Sequence, residues 1–297
     1  MQSARSVGHD RPRVGPAGHY RKAIPAMQPH PLVDIGINLA HDSYDPDRAE
    51  VVERALAAGV RRMVITGSSL GSARRAVELC RQWPGLMRAT AGVHPHHARE
   101  FPDHDLPALA GILADPLVTS AGECGLDYFR DFSPRDEQRR AFARQLELAA
   151  TLSKPVFLHQ RDAHADFMAI LRDHLPSLPA AVVHCFTGTG PELDEYLAEG
   201  LFVGLTGWIC DERRGTAVRD LVPLIPLERL MIETDGPYLM PRNIRPRPGH
   251  RRNEPMNLRY VFEAICEVRT ETPERIAATT TDNALKFFSL PALGSVP

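Results

Sequence analysis

Residues 117–127 read L-V-T-S-A-G-E-C-G-L-D, a short apolar run that closes on an acid between two glycines. A run of this length, punctuated by glycine, reads as a buried strand, and the acid falls where that strand ends. Seven further runs share the form: P-L-V-D-I-G (31–36), R-R-M-V-I-T-G (61–67), R-A-T-A-G-V-H-P (88–95), K-P-V-F-L-H-Q-R-D (154–162), A-A-V-V-H-C-F-T-G (180–188), L-F-V-G-L-T-G (201–207) and R-L-M-I-E-T-D-G-P-Y-L (229–239). Between them lie stretches with apolar residues three and four apart, such as 46–58, 71–82, 134–152, 163–174 and 190–199. Two more follow at about 255–268 and 273–288. Pro134 and Pro191 suit first helical turns, and Gly59 and Gly200 suit helix ends. Strands alternating with helices make βαβ units on a parallel sheet. An open doubly wound sheet would call for a glycine-rich phosphate loop after an early strand, and neither G-x-G-x-x-G nor G-x-x-x-x-G-K-[ST] occurs. The expected fold is therefore α/β, a closed (β/α)8 TIM barrel forming one domain over residues 31–290.

A chain of 297 residues with 43% hydrophobic content can bury one such core. Its formal net charge of -2 excludes a protein that grips nucleic acid by bulk charge, so any such contact must be local. The five cysteines, Cys80, Cys124, Cys185, Cys210 and Cys266, are scattered and form no C-x-x-C pair. That argues against a disulfide framework or a thiolate zinc site and fits a reducing cytoplasm. No apolar run approaches the roughly 20 residues that span a bilayer, and no apolar segment follows the N-terminal arginines. Residues 1–30, rich in Arg, Pro, Gly and His, are expected to be a disordered extension, with Met27 as an alternative start and 291–297 as a short tail.

In a barrel of this kind the active site is built where the strands end. Asp34, His94, Glu123, His159, His184 and Asp235 all occupy such positions. One acid or imidazole there is ordinarily a loop hydrogen-bonder, but six around one rim crowd charge in a way that calls for a cation. The glycines beside Glu123 let backbone and ligands approach closely. His159 and His184 follow apolar residues at matching places on the fifth and sixth runs, which favours coordination over packing. Asp235 can accept a proton from a metal-bound water or cap the next helix, and the first reading suits the mechanism. Cys124 and Cys185 adjoin the expected ligands, and strand alternation turns them away to pack. Mixed oxygen and nitrogen donors suit Mg²⁺, Mn²⁺ or Zn²⁺, and ligand type alone does not choose between them.

After the eighth run comes P-R-N-I-R-P-R-P-G-H-R-R-N-E (241–254), which gathers Arg242, Arg245, Arg247, Arg251 and Arg252. Most charge runs are solvated loops. Beside the last strand of a barrel, phosphate binding is the preferred reading, because such barrels often hold phosphate there and guanidinium forks match its geometry. A metal together with an arginine loop suggests phosphodiester substrates, with His94 and His96 as helpers from the third run and His97 as either a helper or plain surface.

The segments D-I-G-I-N-L (34–39), G-V-H-P-H (92–96), G-E-C-G-L-D (122–127), H-C-F-T-G (184–188), I-E-T-D-x-P-Y-L (232–239) and R-R-N-E-P (251–255) together resemble the TatD family of metal-dependent deoxyribonucleases. The resemblance runs in order from Asp34 to Phe288. It implies a TIM-barrel hydrolase of the metallo-dependent superfamily, cytoplasmic and acting as a 3′ to 5′ exonuclease on single-stranded DNA, and on RNA. Mg²⁺ is the implied cofactor, with Mn²⁺ or Zn²⁺ as alternatives, and repair of oxidative DNA damage is the implied setting. No membrane or obligate protein partner is expected, and the chain should be a monomer.

Carried over by motif, Glu123, His159, His184 and Asp235 would hold the metal, with Glu123 and Asp235 catalytic. His94 and His96 would lie near the substrate phosphate, and Asn38, Arg161, Arg251 and Arg252 would complete the substrate contacts. One departure stands out: the wider superfamily opens with H-x-H on the first strand, and Gly36 and Asn38 occupy those places here. That removes two imidazoles and weakens the expectation of a two-metal site, while Asp34 is kept in a role that can be structural. Two rivals share the sequence features. One is a metal-dependent amide, lactone or ester hydrolase on the same barrel, and the other is a non-catalytic nucleic-acid-binding barrel.

Overall fold

Each of the eight runs is a strand: β1 (Leu32–Ile37), β2 (Val60–Ile65), β3 (Met87–Ala91), β4 (Val118–Asp127), β5 (Val156–Arg161), β6 (Ala181–Val183), β7 (Phe202–Leu205) and β8 (Leu230–Ile232). This computed structural model describes residues 30–294, so the expected N-terminal extension, His30 excepted, and residues 295–297 lie outside the described residues. The strands form one sheet in chain order, each parallel to the next. The ring closes between β1 and β8, where Asp235 N–H donates to Gly36 O at 2.8 Å and Asn38 N–H donates to Gly236 O at 2.9 Å. The result is a (β/α)8 TIM barrel.

Nine α-helices are present among the described residues: α1 (Arg48–Ala57), α2 (Leu70–Gln82), α3 (Leu106–Leu113), α4 (Arg135–Thr151), α5 (His164–His174), α6 (Gly190–Ala198), α7 (Thr216–Leu221), α8 (Leu258–Cys266) and α9 (Pro273–Phe287). The sequence reading named seven of them. In α3, L-P-A-L-A-G-I-L is apolar nearly all round and shows no polar face, and α7 is six residues long, too short for a period. Pro134 is the cap residue ahead of α4, one place before the expected first turn. Gly59 and Gly200 follow the caps of α1 and α6 as expected. No helix among the described residues is long and apolar enough to cross a membrane.

Two cores hold this shell together. The larger lies between sheet and helices. The smaller joins Val33, Ile35, Val64, Phe157, Val182 and Met231 to Phe287, Phe288 and Leu290 at the C-terminal end of α9. Phe157 links the two ends of this plug, with its ring 4.6 Å from the His184 ring and 6.2 Å from that of Phe288. Filling the barrel with side chains makes it a rigid floor and leaves room only at the strand ends. Arg62, almost fully buried, fixes the tail by donating to Pro291 O and Ala292 O.

Candidate metal centre

The construction of the mouth starts with β4. Gly122 and Gly125 have φ of 129° and 147°, and a β-carbon on either would stand 2.1 Å from Phe157 O or 1.8 Å from His159 O. Only glycine lets β4 run this close to β5. Glu123 is carried between them, buried at the base of a cavity of about 660 Å³ whose lining includes Asn38, His94, His96, His159, Arg161, His184 and Asp235.

Three imidazoles converge on one carboxylate oxygen. Glu123 Oε1 lies 2.8 Å from His184 Nε2, 3.0 Å from His159 Nδ1 and 3.3 Å from His94 Nε2. Donor atoms of His94, Glu123 and His159 all fall within 4.8 Å of one another, close enough to share a cation. Burial alone would raise the Glu123 carboxyl, yet the imidazoles of His94, His184 and His159 hold it well below its ordinary value. Burial likewise would lower His159 and His184, and the carboxylates around them keep both raised. His94 responds the other way, pushed by burial down to about 4. Asp235, partly exposed in the mouth, is pushed up by loss of solvation to about 8 and accepts from Asn38 Nδ2 at 3.0 Å.

Two carboxylates in this network were not singled out from the sequence. Asp127 Oδ2 lies 2.7 Å from His96 Nε2 and 3.4 Å from His159 Nε2. Glu233, with no exposed surface, accepts the Cys185 N–H at 2.6 Å and stands 3.5 Å from His184 Nδ1. Period-two alternation from Glu123 to Asp127 and from Asp235 back to Glu233 is the signal that could have found them.

Three buried polar atoms here make no hydrogen bond among the described residues and have only looser ion-pair contacts: His159 Nε2 at 3.4 Å from Asp127, and His184 Nδ1 and Glu233 Oε2 at 3.5 Å from each other. Buried groups are rarely left so, and a mixed set of imidazoles and carboxylates with spare lone pairs suits a divalent cation. The residues present therefore fit a metal.

The first strand explains its missing histidines. A β-carbon at Gly36 would stand 2.3 Å from Glu233 Oε2, so the space an H-x-H side chain would need holds the Glu233 carboxylate. Asp34 stays away from the mouth: buried, it accepts from Gly36 N–H at 3.2 Å and from Thr234 N–H at 2.9 Å, tying β1 to the loop that carries Asp235. Its role is structural. Cys124 packs in the core as expected, but Cys185 corrects the alternation argument. β6 has ended at Val183, Cys185 takes a φ of 47° in the turn that follows, and it lines the mouth.

The arginine loop does not act as one unit. Arg252 donates from both terminal guanidinium nitrogens to Asp47, at 2.6 and 2.7 Å, and from one of them also to Glu254 at 2.9 Å. It is absent from the mouth's lining. Arg242 is engaged by Glu212, and Arg245 by backbone carbonyls. Arg251 lines a neighbouring cleft. Arg161 does face the mouth, with its guanidinium 4.8 Å from the ring centre of Phe129 and 5.2 Å from that of Trp208.

A family model described as TatD related DNase matches residues 33–289. The chain belongs to the TatD-related DNase family. The protein named 3′-5′ ssDNA/RNA exonuclease TatD of Erwinia tasmaniensis is 50% identical to this TatD-family chain over 259 residues, 87% of this chain and 100% of that one. Its namesake in Erwinia billingiae is 49% identical over 261 residues, covering 88% and 100%. A crystal structure of a TatD homologue from Escherichia coli superposes with a TM-score of 0.80 at 28% identity, covering 88% of this chain and 98% of that one. A TatD family hydrolase from Entamoeba histolytica does so at 0.78 and 25%, covering 88% and 99%.

Proposed function

We propose that this TatD-family enzyme is a divalent-metal-dependent exonuclease that removes nucleotides from the 3′ end of single-stranded DNA, and of RNA. The carrying observation is the convergence of three imidazole nitrogens within 3.3 Å of one buried Glu123 oxygen at the strand ends. Relatives that match over their whole length and carry the name 3′-5′ ssDNA/RNA exonuclease support the reading. Glu123, His159 and His184, with Asp235 and His94 beside them, would hold the cation. When bound, a divalent ion supplies Lewis-acid polarisation of the scissile phosphate and lowers the pKa of water.

The remaining chemistry belongs to the chain. Asp235, whose carboxylate accepts from the Asn38 amide at 3.0 Å and is held in place by it, would take up the proton of the attacking water as general base. His96, fixed by Asp127, and Arg161 bind and orient the phosphate. Phe129, Phe132 and Tyr238, exposed by 56%, 54% and 53%, stand at the mouth where unpaired bases can stack on them. Base pairing in a duplex would withhold those faces, which favours single strands. Mg²⁺ is the proposed ion, with Mn²⁺ or Zn²⁺ as alternatives. We take residues 31–290 as the working domain, acting as a monomer in the cytoplasm in DNA repair.

The test is release of mononucleotides from 3′- and 5′-labelled single and double strands across several metals. Glu123→Ala and His184→Ala should each abolish metal-dependent release from 3′-labelled single strands. Retained activity in both variants would sink this site.

A further inference from the structure

The mouth does not end at its rim. A second cleft, of about 530 Å³, adjoins it, and Trp208, Arg214 and Leu239 line both. Beyond them Arg213, Arg247 and Arg251 line the second cleft, all exposed. Asp211 is the one carboxylate in that lining, 3.1 Å from Arg214 and 3.5 Å from Arg213. It also stands 3.5 Å from Arg242, so one acid faces three guanidinium groups. Arg247 and Arg251 take no part in any ion pair among the described residues, and Pro246 and Pro248 stiffen the chain on either side of Arg247. The cleft is thus a local positive patch on a chain whose net charge is -2.

The patch is continuous with the site. Arg161, inside the mouth, and Arg214, shared with the cleft, lie over the Trp208 ring at 5.2 and 4.6 Å from its centre. Positive charge therefore runs from the metal centre across an indole into a groove with surplus guanidinium. Alternating stacking surface and phosphate-matched charge is how proteins hold an unpaired strand without reading its sequence.

We propose that this cleft carries the sugar–phosphate backbone of the strand next to the nucleotide being removed, so that the enzyme grips several nucleotides rather than the terminal one alone. The proposal rests on the single-strand exonuclease reading above and adds a binding site outside the reacting centre. A short substrate fills the mouth only, whereas a longer one also reaches Arg213, Arg247 and Arg251.

The test compares 3′-labelled oligothymidylates of three and twelve nucleotides on the wild type and on Arg213→Glu/Arg247→Glu, whose changes lie on exposed side chains away from Glu123 and its imidazoles. In the wild type the twelve-mer should show the lower KM. In the variant that advantage disappears: KM for the twelve-mer rises roughly tenfold, and the salt slope of log KM becomes shallower by about 1.4, near 0.7 for each lost phosphate contact. Turnover of the trinucleotide stays within about twofold of the wild type, an allowance set by weak screened charge at a distance. Equal KM for both lengths in the wild type, or an equal rise for both in the variant, overturns the cleft. Fluorescence anisotropy of the labelled twelve-mer in EDTA reads binding without turnover. Weaker binding by the variant there, with no cleavage by the wild type, sinks the nuclease reading and keeps the cleft; unchanged binding with normal cleavage does the reverse.

Discussion

Replacing Gly36 by alanine should cost this barrel about 2.5–6 kcal/mol, from overpacking and a lost buried hydrogen bond. The new β-carbon would stand 2.3 Å from Glu233 Oε2 and 3.2 Å from the tip of the Phe157 ring. Neither neighbour has room to retreat. Glu233 is fully buried and its other oxygen accepts the Cys185 N–H, while Phe157 fills the barrel beneath. Adding a methyl group to a filled core costs about 1–3 kcal/mol. Moving the carboxylate also gives up a charge-assisted hydrogen bond, about 1.5–3 kcal/mol more. For a domain of this size each kcal/mol lowers Tm by roughly 2–4 °C, so a fall of roughly 10 °C is expected. Calorimetry and urea unfolding, both in EDTA, measure it. Gly111→Ala is the control: it sits in α3 with no atom within 4 Å of the added carbon and should be neutral or slightly stabilising. The double variant Gly36→Ala/Glu233→Ala should lose less than its two single changes together, because the clash is gone. A Gly36→Ala protein within about 1 kcal/mol of the wild type, less than one overpacked methyl group, would refute the account of the first strand.

Asp34→Ala strands the N–H groups of Gly36 and Thr234 at the barrel seam, costing about 1–3 kcal/mol for each. Asp34→Asn keeps an accepting oxygen and should cost less, and equal unfolding midpoints for wild type and Asp34→Ala would count against the seam. Arg252 and Arg251 should separate by acid titration. The side-chain hydrogen bond from Arg252 lowers Asp47 to about 2, below its ordinary 3.8, so the stability it lends is present above pH 3.8 and lost as pH falls through 2. Arg252→Ala should therefore unfold at higher pH than wild type, whereas Arg251→Ala should follow the wild-type curve; matching curves for both variants would contradict the ion pair's structural role. Adding a divalent cation at 100 times its Kd should stabilise the chelated protein by about 2.7 kcal/mol. Glu123→Ala should lose that gain, and an unchanged thermal shift in the variant would place the ion elsewhere.

Much of this molecule was legible without coordinates. The eight apolar runs are the eight strands, since hydrophobic runs of strand length between glycines have few other stable uses. Strand ends located Glu123, His159, His184 and Asp235 because a barrel gathers its strand ends at one mouth. The glycines around Glu123 announced a close backbone approach, and Phe157 O and His159 O are what they approach. The motifs from Asp34 to Phe288 were enough to suggest the family, because each fixes the spacing of side chains that carry the chemistry.

What the sequence could not carry was partnership across the ring. Arg251 and Arg252 are neighbours in the chain, yet one lines an open cleft and the other is held by Asp47, 205 residues away in sequence. A charge run looks alike whether its charges are spent or free, and only the fold decides which acid arrives beside which guanidinium. Glu233 hid for the same reason: its space is the absence of a side chain at Gly36, almost 200 residues earlier, and a vacancy of that kind exists only once β1 and β8 have met. Local pattern determines which residues become strands and where each strand ends; long-range closure determines which polar groups face one another, because that depends on distances the chain acquires only when the barrel shuts.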